Sequence, residues 1–187
     1  MSGRKKFTTL GGILLAVAVL LLWEHFADGS SKDISGRTVL FDRGAVSMYF
    51  SPRGGAEDAI VDAIDHAHKT LDIAIYTFTS RPISQAVVRA HERGVEVRIV
   101  MDDDQARDRY SKYRYLKRRG IPIALYNGDG IMHNKFAVID TQTVITGSFN
   151  WTASAEEYNY ENLLIIDSPE IAKIYEDYFA EMWNKFR

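Results

Sequence analysis

After residue 45, the apolar residues of the chain alternate between two spacings. Short runs rich in β-branched and aromatic side chains predict strands, and apolar residues that recur every three or four positions predict amphipathic helices. The predicted strands are Val46–Phe50, Leu71–Phe78, Val95–Met101, Ile121–Leu125, Lys135–Asp140, Thr143–Thr146 and Leu163–Ile166. The predicted helices are 56–67, 82–92, 109–119 and 169–186. This alternation indicates an α/β fold, in which a mixed, largely parallel β-sheet carries helices on both faces.

The beginning of the chain has a different character. Basic residues at positions 4–6 precede the uncharged run Leu10–Trp23, and with residues 7–9 the apolar stretch is long enough for about 25 Å of helix. An uncleaved anchor helix and a removed signal peptide both fit this pattern. The anchor is favoured, because Ala27 is the only small residue where a cleavage site would need two. In either case the basic end is expected to stay in the cytoplasm and the rest to be delivered outside it.

These patterns divide the chain into three parts. Residues 1–31 are predicted to be a signal-anchor or transmembrane segment with the start of a linker, 32–45 a linker, and 46–187 one α/β domain. The formal net charge is -2, so any nucleic-acid binding has to come from a local basic patch. The chain has no cysteine, which excludes a disulfide framework, a thiolate metal site and a cysteine nucleophile.

The polar residues that suggest chemistry are concentrated between His133 and Asn162, and most of them lie in the motif region 127–154. His133 and Lys135 stand two positions apart in a predicted strand and so project from one face, whereas Asp140 projects from the other. Ser148 and Asn150 share a face in the same way. An imidazole, an ammonium, a hydroxyl and an amide on one surface suit a tetrahedral anion. The ammonium and the amide would bind its oxygens while the imidazole attacks or transfers a proton.

The pattern H-x-K-x4-D at positions 133–140, followed by G-S-F-N at 147–150, resembles the signature of the phospholipase D superfamily. Further stretches resemble its small single-motif branch, which holds bacterial exported endonucleases and mitochondrial cardiolipin hydrolases. These stretches are Tyr49–Pro52, Tyr76–Thr79, Arg93–Val97 and Tyr160–Asn162. The resemblance covers most of the predicted domain. The animal mitochondrial members carry a Cys/His zinc element, so the lack of cysteine makes this chain more similar to the bacterial members.

The resemblance implies a role for each matching residue. His133 would be the nucleophile that forms a phosphohistidine intermediate. Lys135 and Asn150 would contact the phosphate, and Ser148 would contribute a hydroxyl. Glu161, in the matching E-N pair, would orient the imidazole of His133. No cofactor and no metal are expected.

The resemblance also implies a structural role for Asp140, in agreement with its predicted side of the strand. The family reaction requires two histidines, one as nucleophile and one to protonate the leaving oxygen. Large family members hold two motifs in one chain, whereas this chain holds one motif and no internal repeat. A homodimer with a shared active site on its two-fold axis is therefore expected.

Two charged stretches carry weaker predictions. Residues 107–119 hold seven cations, one acid and three interleaved tyrosines. This composition could bind a phosphate backbone or anionic lipid headgroups, and it is also typical of a solvent-exposed basic helix with no ligand. The cations that we expect to bind substrate are Arg109, Arg114, Lys117 and Arg118. The acidic cluster Asp102–Asp104 is interpreted as the opening of a helix or a loop rather than as a metal site.

The sequence therefore predicts a metal-independent phosphodiesterase that acts through a phosphohistidine. The first hypothesis is a phospholipase D acting on phospholipids, and the alternative is a non-specific endonuclease acting on DNA or RNA. An inactive anion-binding module is a third, remote hypothesis. The N-terminal segment would hold the catalytic domain at a membrane on the periplasmic side, or would be cleaved on export.

Overall fold

The structure, a computed structural model, describes residues 37–41 and 44–187. Its strands are β1 (Arg37–Phe41), β2 (Gly44–Phe50), β3 (Thr70–Ile75), β4 (Glu96–Asp102), β5 (Ile123–Tyr126), β6 (Lys135–Ile139), β7 (Thr143–Gly147) and β8 (Asn162–Asp167). Its helices are α1 (Ala56–Asp65), α2 (Arg81–Glu92), α3 (Asp103–Arg107), α4 (Tyr113–Arg118), α5 (Ala153–Glu157) and α6 (Pro169–Phe186). The anchor predicted for residues 1–31 lies outside the described residues. Within the described ranges, no helix is both long enough and apolar enough to span a membrane.

The strands form one sheet in the order β1-β2-β8-β7-β6-β3-β4-β5. The mixed α/β architecture is confirmed, but the expectation of a largely parallel sheet is wrong. Only β3–β4 and β4–β5 pair in parallel, and the other neighbours pair antiparallel. The reason is the connectivity, because β1–β2 and β6–β7 are hairpins and β8 returns between β2 and β7. Parallel pairs arise only where a helical crossover brings the chain back.

Strand β1 lies inside segment 32–45, which the sequence pattern had suggested was a linker. It pairs antiparallel with β2, from Arg37 opposite Met48 to Phe41 opposite Gly44. Five residues of the expected linker therefore extend the sheet as its outermost strand on that side.

Helices cover both faces of the sheet, as predicted. Alternate residues of β3, such as Leu71 and Ile73, belong to the apolar core that includes buried residues of α1 and α2. Ala74 points to the opposite face and belongs to a second core with residues of α6. This two-sided burial follows from the alternation of side chains along a strand.

The strand ends that carry the candidate site lie together along one edge of the sheet. Ile75 at the end of β3 pairs with Lys135 at the start of β6, and Gly147 at the end of β7 pairs with Leu163 near the start of β8. The carboxyl ends of β4 and β5 reach the same edge, because both run parallel to β3. The register thus brings together segments that are far apart in the sequence.

Candidate active site

The first pair of candidate residues lies where β6 begins. His133 precedes the strand rather than belonging to it, and its side chain is exposed. Lys135 is only 8% exposed, and its Nζ donates a hydrogen bond to the carbonyl oxygen of His133 at 2.8 Å. Burial lowers the pKa of Lys135 below its ordinary value, while the carboxylate of Glu161 opposes that shift. The two residues therefore lie together, although a regular strand is not what brings them together.

Tyr76 contacts both members of this pair. Its ring centroid lies 4.6 Å from that of His133 at an interplanar angle of 61°, and the Nζ of Lys135 lies 5.2 Å from the Tyr76 ring centroid. The Tyr76 backbone N–H also donates to the carbonyl oxygen of Asn134 at 2.9 Å. No role was predicted for Tyr76, although it begins one of the stretches that resemble the single-motif branch, Tyr76–Thr79.

A second group of candidate residues follows β7. Gly147 approaches β8 so closely that a Cβ there would lie 2.2 Å from the carbonyl oxygen of Asn162, which explains the glycine. Ser148 then donates its hydroxyl to the carboxylate of Glu161 and accepts the backbone N–H of Asn162 at 3.1 Å. Asn159 donates to the other oxygen of Glu161 at 3.1 Å.

The expected contact between Glu161 and His133 is not observed. In the part of the chain that the structure describes, no hydrogen bond joins these two side chains. The Glu161 oxygens accept hydrogen bonds from Ser148 and Asn159, and the imidazole of His133 packs against Tyr76 instead. The interaction of Glu161 with this pair is electrostatic, through the ammonium of Lys135.

Asn150 presents an unpaired amide oxygen. Its Oδ1 is buried and has no hydrogen-bond partner among the described residues. The neighbouring backbone is fixed, because the N–H of Trp151 donates to the carbonyl of Thr77 and the carbonyl of Trp151 accepts from Thr79 and Ser80. An unpaired buried acceptor costs about 1–3 kcal/mol, a cost that functional sites commonly carry.

Asp140 lies at the opposite edge of the sheet from His133. Its carboxylate accepts the backbone N–H groups of His68, Lys69 and Thr70 at 2.9, 2.6 and 2.9 Å. Burial alone would raise the pKa of Asp140, but these three donors outweigh it and hold the pKa below its usual value. The aspartate thus fixes the start of β3 to the β6–β7 hairpin.

The basic stretch, together with the first residues of α2, forms a groove of about 610 Å³. Arg109, Arg114 and Arg118 line it, as expected, together with the cations Arg81, Lys112 and Arg119 and the rings of Tyr110 and Tyr115. Lys117 does not line this groove, because its ammonium binds the hydroxyl of Tyr113 at 2.9 Å. The helix itself, α4, is shorter than the predicted span 109–119.

The acidic cluster opens a helix, as the sequence suggested. Asp102 accepts the backbone N–H of Gln105 and so caps α3. Across residues 37–41 and 44–187, no group of three or more histidine, aspartate or glutamate side chains is arranged to hold a metal ion.

Residues 60–183 match the family described as "Cardiolipin synthase, PLD-like domain". A protein named phospholipase D from Rickettsia felis is 38% identical over 133 residues, which cover 71% of this chain and 66% of that protein. The mitochondrial cardiolipin hydrolase of Homo sapiens is 35% identical over 136 residues, which cover 72% of this chain and 54% of that protein. The chain thus spans between about half and two thirds of the length of these relatives.

Solved structures show the same fold. The phospholipase D family member Nuc from Salmonella typhimurium superposes with a TM-score of 0.74 at 35% identity, covering 78% of this chain and 97% of Nuc. NucT from Helicobacter pylori superposes with a TM-score of 0.69 at 31% identity, covering 74% of this chain and 95% of NucT. The chain belongs to the phospholipase D superfamily.

Proposed function

We propose that the protein hydrolyses phosphodiester bonds and that His133 is its nucleophile. The observation that carries this proposal is the arrangement at the start of β6, where the exposed imidazole of His133 and the largely buried ammonium of Lys135 both contact the ring of Tyr76. A buried cation next to a nucleophile favours an anionic substrate and stabilises the charge that grows on its oxygens during attack. Asn150 supplies a second polar group, because the NH2 of its amide can donate a hydrogen bond to a phosphate oxygen.

The proposed reaction has two displacements. In the first, an imidazole nitrogen of His133 attacks phosphorus, the P–N bond forms, and the P–O bond to the leaving alcohol breaks as that oxygen takes a proton from a general acid. In the second, the same group, now a base, takes a proton from water while the water oxygen attacks phosphorus. The P–N bond then breaks and His133 is restored.

We propose that the general acid is His133 of the partner subunit, so that one site forms on the two-fold axis of a homodimer. The domain offers one such histidine, and the reaction needs a second group on the far side of phosphorus. Exposed apolar and aromatic side chains near the candidate residues support an interface with a second chain at this surface. Ile131 is 58% exposed next to His133, and Tyr158 and Tyr160 are 74% and 91% exposed next to Glu161.

A phospholipid is the first candidate substrate. The relatives named phospholipase D and mitochondrial cardiolipin hydrolase favour it. The apolar run Leu10–Trp23 also favours it, since an anchor would hold the domain at a bilayer. In this proposal the catalytic domain lies outside the cytoplasm, on the periplasmic side, and export after signal cleavage is the alternative.

A nucleic acid is the second candidate substrate, and the basic groove is the observation that favours it. Six cations and two tyrosine rings line one surface, although the whole chain has a net charge of -2. Cations that follow a phosphate backbone and rings that stack on bases are the usual means of binding single strands.

The experiment that tests the proposed function compares substrates under one set of conditions. Purified full-length protein is assayed on single-stranded DNA, RNA, cardiolipin vesicles and phosphatidylcholine vesicles, with and without excess EDTA. We expect hydrolysis of at least one class and little effect of EDTA, because Lys135 and Asn150 supply the electrostatic stabilisation. Inactivity on all four would contradict the proposed reaction, and loss of activity on chelation would contradict its metal independence.

The groove makes a prediction that separates the two substrate classes. Replacing Arg109, Arg114 and Arg118 together by Gln is expected to weaken single-stranded DNA binding. It should also flatten the dependence of log K on log salt by about 2 units, because fewer counterions are released. Binding is measured by fluorescence anisotropy at several salt concentrations.

The matched control removes three positive charges outside the groove. Lys69, Arg89 and Lys173 are exposed and do not line the groove, so their triple Gln variant should keep the wild-type slope. Equal slopes for the groove variant and the wild type would mean that the groove is only a solvated basic surface.

A further inference from the structure

Asp102 is a buried carboxylate that the proposed reaction does not use. It ends β4 and is 4% exposed, and within the described ranges it forms no ion pair. Its two oxygens serve two different segments. Oδ1 accepts the N–H of Gln105 at 3.2 Å and caps α3, whereas Oδ2 accepts the N–H of Met132 at 3.1 Å. Met132 is itself buried and immediately precedes His133.

The segment that carries the nucleophile needs such support. Residues 127–134, between β5 and β6, form no helix or strand and so lack a ladder of backbone hydrogen bonds. Their last three residues are instead held one after another. Asp102 accepts a hydrogen bond from the N–H of Met132. The ammonium of Lys135 donates to the carbonyl of His133, and the N–H of Tyr76 donates to the carbonyl of Asn134.

We infer that Asp102 is a positioning residue that sets the place of His133 relative to Lys135. A carboxylate suits this task, since charge-assisted hydrogen bonds to N–H groups are roughly twice as strong as neutral ones and both oxygens are acceptors. Asp102 ends β4 and Tyr76 follows β3, so two adjacent parallel strands hold the loop from the rigid sheet. The inference rests on the proposed function, because accurate placement matters for catalysis only if His133 attacks the substrate.

The test separates the cap on α3 from the contact with Met132. In Asp102→Ser a single, shorter hydroxyl replaces two carboxylate oxygens. Serine is as good a helix cap as aspartate, so α3 keeps its cap while the contact with Met132 is lost. Asp104→Asn, an exposed neighbour in α3, is the matched control. Full-length protein is used throughout, and three properties are measured: kcat and KM on a chromogenic diaryl phosphodiester, the thermal midpoint, and the hydrogen-exchange rate of the Met132 amide.

We expect Asp102→Ser to lower kcat by about 10- to 100-fold with KM nearly unchanged, since a displacement of about 1 Å can cost that much. The Met132 amide should exchange faster, the thermal midpoint should stay above the assay temperature, and the control should behave as wild type. A folded Asp102→Ser protein with wild-type kcat would overturn the inference. If that variant does not fold, Asp102→Asn is judged by the same criteria, because the NH2 group that replaces one carboxylate oxygen cannot accept an N–H.

The exchange measurement also distinguishes this inference from the proposed function. Wild-type protein that is inactive on every phosphodiester would contradict the proposed function while the Met132 amide still reports the contact. Unchanged exchange of that amide in both Asp102 variants would contradict the positioning role, whatever the activity of the wild type.

Discussion

Asparagine in place of His133 is expected to lower kcat by about 10⁴-fold or more on whichever substrate the wild type hydrolyses. The size of this effect follows from the loss of the attacking group, and nucleophile replacements in other enzymes reach this range or exceed it. The fold should be unaffected, because the His133 side chain is exposed and lies outside the strands. The measurement is steady-state kcat together with the thermal midpoint.

The matched control for that variant is His66→Asn. His66 is also exposed, at the end of α1, and the proposed reaction gives it no role. It should keep the wild-type kcat. A His133→Asn protein that retains more than a few per cent of wild-type activity would rule out His133 as the nucleophile.

Mixing the His133→Asn protein with wild-type protein is expected to lower the activity of the wild-type chains. If each site needs His133 from both chains, a hybrid dimer is inactive. At nine His133→Asn chains per wild-type chain, about one wild-type chain in ten finds a wild-type partner after subunit exchange. Activity per wild-type chain should therefore fall to about a tenth.

The mass of the full-length protein in solution, measured in the same samples, makes the mixing result interpretable. A dimer whose activity per wild-type chain stays constant on mixing would contradict the shared site. A fully active monomer would contradict it too, and Glu161 would then be the first candidate for the second acid, since it already acts electrostatically on Lys135.

Local patterns in the sequence predicted most helices and strands of this fold, but not the relative directions of neighbouring strands in the sheet. The apolar spacing of α1 and the proline that opens α6, Pro169, are local features, so they can be found in one stretch of chain. Whether β8 runs parallel or antiparallel to its neighbours depends on where the chain returns to the sheet. No local pattern encodes that return.

An ion pair between a buried carboxylate and a partly buried guanidinium could not be predicted from the sequence either. Asp72 and Arg98 stand opposite each other on β3 and β4 and form two hydrogen bonds at 2.6 and 2.7 Å. They belong to different strands, 26 positions apart, so neither residue points to the other before the register is known. An isolated charge at either position would have looked like a surface residue.

The candidate site likewise contains residues that local spacing predicts and residues that only the packing of distant strands brings together. His133, Lys135, Ser148 and Asn150 were found because their spacing is short and resembles a known signature. The partners that hold them were not, because Asp102 and Tyr76 reach the site only through the packing of strands β3, β4 and β6. Glu161 was found as a residue, but its partners proved to be Ser148 and Asn159.

The proposed mechanism requires a covalent bond between His133 and the phosphorus of the substrate. It is tested most directly by stopping the reaction within the first turnover in alkali, in which a P–N bond survives, and mapping the modified peptide by mass spectrometry. We predict a substrate-derived phosphoryl group on His133 that is lost on brief exposure to acid. A phosphoryl group on any other residue, or single-turnover product formation with no adduct at all, would contradict the account.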